Sequence, residues 1–113
     1  MPGISLDERG GNRVGVNGEF ASMAEFLTEY VTDVSSRGVF IRTDAPVPVG
    51  TELDLKFTII GDELEVIEGA GKVVRVIAFG GDEPAGMGVE FVNLSRESEA
   101  AVARVIEALN DLP

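Results

Sequence analysis

The 113-residue sequence predicts an all-β protein, a six-stranded antiparallel barrel with one C-terminal helix. Three observations carry that expectation. First, "ELDLKFTII" (52–60) alternates strictly, with Leu53, Leu55, Phe57 and Ile59 on one face and Asp54, Lys56 and Thr58 on the other, as a half-buried strand requires. Second, six short strand-like runs follow one another at the spacing of a closed antiparallel sheet, separated by turn-forming residues. Third, only the final segment has helical periodicity.

Residues 1–12 read as a flexible N-terminal segment, and 13–113 as the barrel domain. "RVGVNGEF" (13–20) is the first and weakest strand. "EFLTEYVTDV" (25–34) and "VFIRT" (39–43) form the next two, flanking the polar turn "DVSSRG" (33–38). Two prolines and a glycine in "DAPVPVGT" (44–51) stiffen a connection and end strand pairing. Residues 61–63 make a tight hairpin after the fourth strand, and "GGDEPAG" (80–86) makes a longer loop after the fifth. The fifth strand, "GKVVRVIAF" (71–79), is rich in β-branched residues, and Gly69 and Gly71, inside a long strand-like stretch, would permit the bulge or bend that closure needs. "MGVEFV" (87–92) alternates Met87, Val89 and Phe91 against Gly88 and Glu90. In the helix (94–110), Val102, Val105, Ile106 and Leu109 share a face, Ser95 is placed to cap, and Glu97 and Glu99 suit the positive end of the dipole. That apolar stripe could cover an open end of the barrel or dock on a partner.

Composition narrows the function. The length fits one domain, and 44% hydrophobic residues suffice for a core. No apolar run is long enough to span a membrane, and "MPGISLDERGG" lacks a signal-peptide core, so a cytoplasmic location and no membrane insertion are expected. Without cysteine or histidine, thiolate metal sites, disulfides and the usual general base are all missing. Ser35 and Ser36 have no such base to activate them, and "IIGDELE" lacks the ligand pattern of a calcium loop. No enzymatic activity, metal or cofactor is therefore expected. A formal charge of −11 repels DNA, RNA and anionic membranes, so any anionic ligand must be held by a few placed arginines.

Two stretches are candidates for that task. In "RGGNR", Arg9 and Arg13 stand four apart before the first strand, and two guanidinium forks there can close on a phosphate or a purine edge. The plainer account is a solvated tail. In "DVSSRG", Asp33 and Ser35 lie on one side of an extended chain, Ser36 and Arg37 occupy the corner, and Gly38 can supply a positive φ. Asp33 and Ser35 could satisfy turn backbone donors, or they could face a ligand, since a carboxylate accepts from the N1 and N2 hydrogens of guanine. Within the turn alone, the two accounts are balanced.

In combination, "RGGNR" followed by "DVSSRG" resembles the two-part signature of the PilZ domain, R-x-x-x-R then [D/N]-x-S-x-x-G. "DVSSRGVFIRTDAPVPVGTELDLKF" is similar to the family's core and "GMGVEFVNLS" to its last strand and helix entry. The likeness is greatest to single-domain PilZ proteins of the myxobacterial and deltaproteobacterial paralogous type. It implies a six-stranded PilZ-like β-barrel and a receptor for cyclic di-GMP that regulates an unidentified protein partner, with motility, exopolysaccharide or virulence as output. Carried over by position, Arg9 and Arg13 would hold phosphates and guanine, Asp33 and Ser35 would read a guanine edge, and Gly38 would permit the turn. In the family the arginine loop is mobile when empty and wraps the ligand. Ordering five residues around Gly10 and Gly11 offsets much of what two arginines gain, so the expected affinity is about micromolar or weaker. The alternative is a ligand-independent adaptor with a non-functional nucleotide site.

Overall fold

The structure, a computed structural model, describes residues 3–8, 10–61 and 63–111. In chain order its elements are β1 (Gly3–Glu8), β2 (Arg13–Phe20), a short helix α1 (Met23–Glu25) continuing into a π-helical turn (Phe26–Tyr30), β3 (Val31–Thr32), β4 (Gly38–Arg42), β5 (Glu52–Ile60), β6 (Leu64–Ile77), β7 (Gly86–Leu94) and α2 (Arg96–Asn110). The strands form one sheet in the order β1-β2-β5-β6-β7-β4-β3, curled around the core as a half-barrel with α2 against β6. All neighbours are antiparallel except β2 and β5.

The mostly-β architecture with one long C-terminal helix is as expected; β6 runs Leu64–Ile77 where a strand over 71–79 was expected, and three further details differ. Among the described residues there are seven strands rather than six. The additional one is β1, where Ile4 and Leu6 alternate with Ser5 and Asp7 and pair with Gly18 and Val16 of β2, so residues 3–8 belong to the sheet and not to a flexible arm. One contact is parallel, because the chain from Ala21 to Thr51 crosses from the end of β2 to the start of β5, as a parallel pair requires.

The third difference concerns residues 25–34, expected as a strand. They are helical as far as Tyr30, and only Val31–Thr32 pair as β3. A variant of the capping box decides this: the Ser22 hydroxyl accepts from Glu25 N at 3.1 Å, and the Glu25 carboxylate reaches back to accept from Ala21 N, one residue before the cap, at 3.0 Å. The turn then directs Phe26 and Leu27 into the core. Phe26 lies 4.7 Å from Phe20 and 5.8 Å from Phe57 between ring centroids, and Tyr30 lies 5.0 Å from Phe20. This aromatic cluster joins the ends of β2 and β5 to the segment leading into β3.

The inward faces follow the sequence. Leu53, Leu55, Phe57 and Ile59 are all essentially inaccessible, as are Val73, Met87 and Val89 on the neighbouring strands. The strand β6 bends where its register against β7 shifts, once between Ala70 and Gly71 and again between Val73 and Arg75. At Gly69 a Cβ would stand 2.2 Å from the Asn93 carbonyl oxygen, so no side chain fits there.

β7 ends at Leu94, opposite Gly69, which leaves the first residues of β6 without a strand neighbour on that side. Helix α2 fills the place. Ser95 caps it by accepting from Ser98 N at 3.1 Å, and the buried Ser98 hydroxyl accepts from Glu68 N at 2.9 Å. Ala101, Val102 and Val105 are buried beneath the helix, so the apolar stripe covers the sheet. Arg104 clasps Glu65 with Nε and Nη2 at 2.5 and 2.8 Å, and this hydrogen bonding raises the Arg104 pKa above its ordinary value. Among the described residues, no helix is long and apolar enough to cross a membrane.

Candidate functional site

The polar turn between β3 and β4 separates the two accounts that the sequence left balanced. Ser35 builds the corner. Its backbone N donates to Gly38 O at 2.9 Å, and its hydroxyl accepts from Arg37 N at 3.2 Å and Gly38 N at 3.3 Å. Phe91 N donates to Arg37 O at 2.7 Å, which fixes the corner to β7. Asp33 takes no part. Among the described residues its carboxylate has no hydrogen-bond or ion-pair partner. Its backbone has a φ of 51°, the left-handed region, and it is the only non-glycine with a positive φ among those residues. That conformation costs an L-residue roughly 1–2 kcal/mol, although aspartate tolerates it better than most.

Gly38 is required for another reason than a positive φ, which it does not have. It faces Glu90 across the β4–β7 ladder, and a Cβ on it would stand 2.1 Å from the Val89 carbonyl oxygen. Close approach of two backbones, rather than left-handed geometry, excludes a side chain here.

Asp33, Ser35 and Gly38 line a cavity of about 280 Å³ on the outer face of β4, β7 and β6, together with Arg37, Phe40, Arg75 and Glu90. The Phe40 ring lies over β7 where two glycines leave room, and a Cβ on Gly86 would be 2.6 Å from the ring. The Arg75 guanidinium carbon sits 5.6 Å from the Phe40 centroid, a cation–π arrangement. A second cavity of about 310 Å³ shares Asp33, Phe40 and Arg75 and continues toward Thr32, Arg42 and Pro84. Arg42 is already engaged, donating to Thr28 O at 2.6 Å. The combination of an open carboxylate and two guanidinium groups, one of them over the buried Phe40 ring, suits a ligand with hydrogen-bond donors and negative charge.

Three of these residues escaped the sequence reading: Phe40, Arg75 and Glu90. Phe40 carried a signal, since Val39 and Ile41 alternate into the core and so place a large aromatic side chain on the opposite face of the sheet, where it is nevertheless buried. Arg75 carried none, because the bulge beside it resets which way β6 side chains point.

The arginine half is elsewhere. Arg9 lies outside the described residues. Arg13 opens β2 after a turn in which Gly10 and Gly11 have φ of 91° and 58°, and its N donates to Gly10 O at 3.2 Å. Its side chain is ion-paired with Asp54 of β5. The ladders run from Arg13 to Glu52, Lys72, Glu90 and Gly38 in turn, so Arg13 stands four strand spacings from Gly38, roughly 19 Å along the sheet. The structure brings together Asp33, Ser35 and Gly38 and leaves Arg13 apart from them.

Compared with known proteins, residues 8–108 match the sequence profile of the PilZ domain. A search of curated proteins returned no match.

Proposed function

The chain belongs to the PilZ domain family, and from that premise we propose that it is a cyclic di-GMP receptor that regulates a partner protein. The family comprises cyclic di-GMP-binding and adaptor domains rather than enzymes. In this reading Asp33 accepts from a guanine edge, Ser35 holds the turn within reach of the ligand, and Gly38 lets β4 lie close against β7. Arg9 and Arg13 supply cations to the phosphates. The receptor acts in the cytoplasm, and the surface altered by binding is passed to a protein of motility, exopolysaccharide or virulence control.

One observation carries the proposal: the Asp33 carboxylate on the cavity wall, held in a left-handed conformation and unused by the turn around it. A carboxylate serving only the turn would accept backbone donors, and Ser35 already does so. Calorimetry of the purified chain against cyclic di-GMP tests this. Binding in the micromolar range is expected, weakened at least tenfold by Arg13→Ala and by Asp33→Ala. No heat at near-millimolar ligand, or binding by both variants as tight as that of the unaltered protein, would refute it.

A second reading is a ligand-independent adaptor. It is favoured by the separation of Arg13 from the turn and by its ion pair with Asp54. Recovery of the same partner from cells with and without the nucleotide would support it, whereas a nucleotide-dependent pull-down would remove it.

A further inference from the structure

We propose that Asp54 is an internal anion that occupies Arg13 in place of the ligand phosphate and thereby sets the affinity for the nucleotide. This rests on the cyclic di-GMP reading above and concerns the residue that opposes it.

The strand register creates the contact. Arg13 and Gly15 share the outward face of β2, and the parallel ladder sets them beside Glu52 and Asp54 of β5. Gly15 lies directly opposite Asp54 and has no side chain to stand between that carboxylate and Arg13. On the other side, Asp54 faces Ala70 of β6, whose side chain is a single methyl. The Arg13 side chain therefore crosses over Gly15, and its Nη2 donates to Asp54 Oδ1. Glu52, the residue in register with Arg13, does not take this role.

The backbone around Arg13 is fixed by other bonds. Asn12 Nδ2 donates to Gly50 O at 2.9 Å, and Glu52 N donates to Asn12 O at 2.9 Å, so the start of β2 is tied to the loop before β5. Along the curled sheet, four strand spacings lie between that anchor and Gly38. To hold a phosphate at the Asp33 cavity, Arg13 must release Asp54, and the turn at Gly10–Gly11 must carry it across. A ligand phosphate and the Asp54 carboxylate are thus alternatives for one guanidinium fork, and each excludes the other.

The pair is half-open to water, with 50% of the Arg13 side chain and 30% of the Asp54 side chain exposed. An ion pair at such exposure is worth roughly a two- to fivefold change in an equilibrium constant, which sets the size of the effect. The expected device is a modest threshold on nucleotide concentration.

Asp54→Asn keeps the shape and removes the charge. Calorimetry of the full chain with cyclic di-GMP should show this variant binding about two- to fivefold tighter than the unaltered protein. Glu19→Gln is the charge-matched control, on the same face of β2 but six residues from Arg13, roughly 20 Å away and screened by salt. It should bind as the unaltered protein does. Equal or weaker binding by Asp54→Asn overturns the inference while leaving the receptor reading intact. An equal gain in Glu19→Gln also overturns it, by reducing the effect to net charge. Absence of binding in all three proteins overturns the receptor reading and this inference together.

Discussion

The two halves of the PilZ signature are built by different physics. The turn half, 33–38, is fixed by contacts that permit no alternative: Ser35 bonded to three backbone groups of its own corner, Arg37 bonded to β7, and Gly38 pressed against the Val89 carbonyl. Among the described residues the arginine half is held by an exposed ion pair, by the Asn12 bonds to Gly50 and Glu52, and by a turn whose glycines have nothing within 4 Å of where a Cβ would be. The rigid half can specify which base is accepted, because its geometry is formed before the ligand arrives. The loose half determines how tightly the ligand is held, because its ordering cost and its competing anion are met only on binding. Substitutions that are alike in size should therefore have very different effects in the two halves.

The largest difference is expected at the glycines. In Gly38→Ala the new methyl would collide with backbone, and β4 and β7 would have to separate. The expected loss is about 3 kcal/mol of stability, the upper end for overpacking a fixed site. Urea unfolding followed by circular dichroism measures this. A midpoint unchanged from the unaltered protein would show that the turn half is as adaptable as the arginine half.

Ser35→Ala comes next. It leaves the Arg37 and Gly38 N–H groups without the hydroxyl that serves them in an exposed turn. About 1 kcal/mol of stability should be lost, a fall of roughly 4–8 °C in melting temperature. Binding should weaken as well, since Asp33 would no longer be held on a fixed corner. Weakened binding at an unchanged melting temperature would instead indicate that the hydroxyl touches the ligand directly and contributes little to the turn.

How much of this was legible in the sequence depends on the range of the interactions involved. β5 could be read to the residue, because alternation is local and Leu53, Leu55, Phe57 and Ile59 all point into one core. Helix α2 was legible for the same reason, with its cap at Ser95. The segment 25–34 was misread because Phe26, Leu27, Tyr30 and Val31 are as compatible with a strand as with a turn of helix. The deciding signal was the Ser22–Glu25 capping box, three residues upstream of where the apolar run is densest. The parallel β2–β5 contact left no local trace, because its partners lie about forty residues apart. At the site, Asp33, Ser35 and Gly38 were legible as a motif, but the division of labour was not. That Ser35 serves the turn and Asp33 does not depends on a φ of 51° at Asp33 and on the approach of β7. The position of Arg13 depends on the same long-range parallel register, and so does its pairing with Asp54.

The smallest expected effect is at Gly11, and it tests the loose half on its own terms. Its φ of 58° is left-handed, and the space where a Cβ would project is empty. Alanine there would be strained, but asparagine visits this region readily. Gly11→Asn should therefore change stability by only a few tenths of a kcal/mol, so the open arrangement seen here remains available. Closure is different. Carrying Arg13 from Asp54 toward Asp33 requires the 10–12 turn to leave its present dihedral angles, and asparagine has fewer alternatives to visit than glycine. The variant should thus bind cyclic di-GMP about twofold more weakly at an unaltered melting temperature, a change of roughly 0.4 kcal/mol. Tighter binding would mean that the bound turn keeps the φ seen here and that stiffening it prepares the site. In that event the arginine half is already organised for its ligand, and Asp54 alone separates it from the turn half.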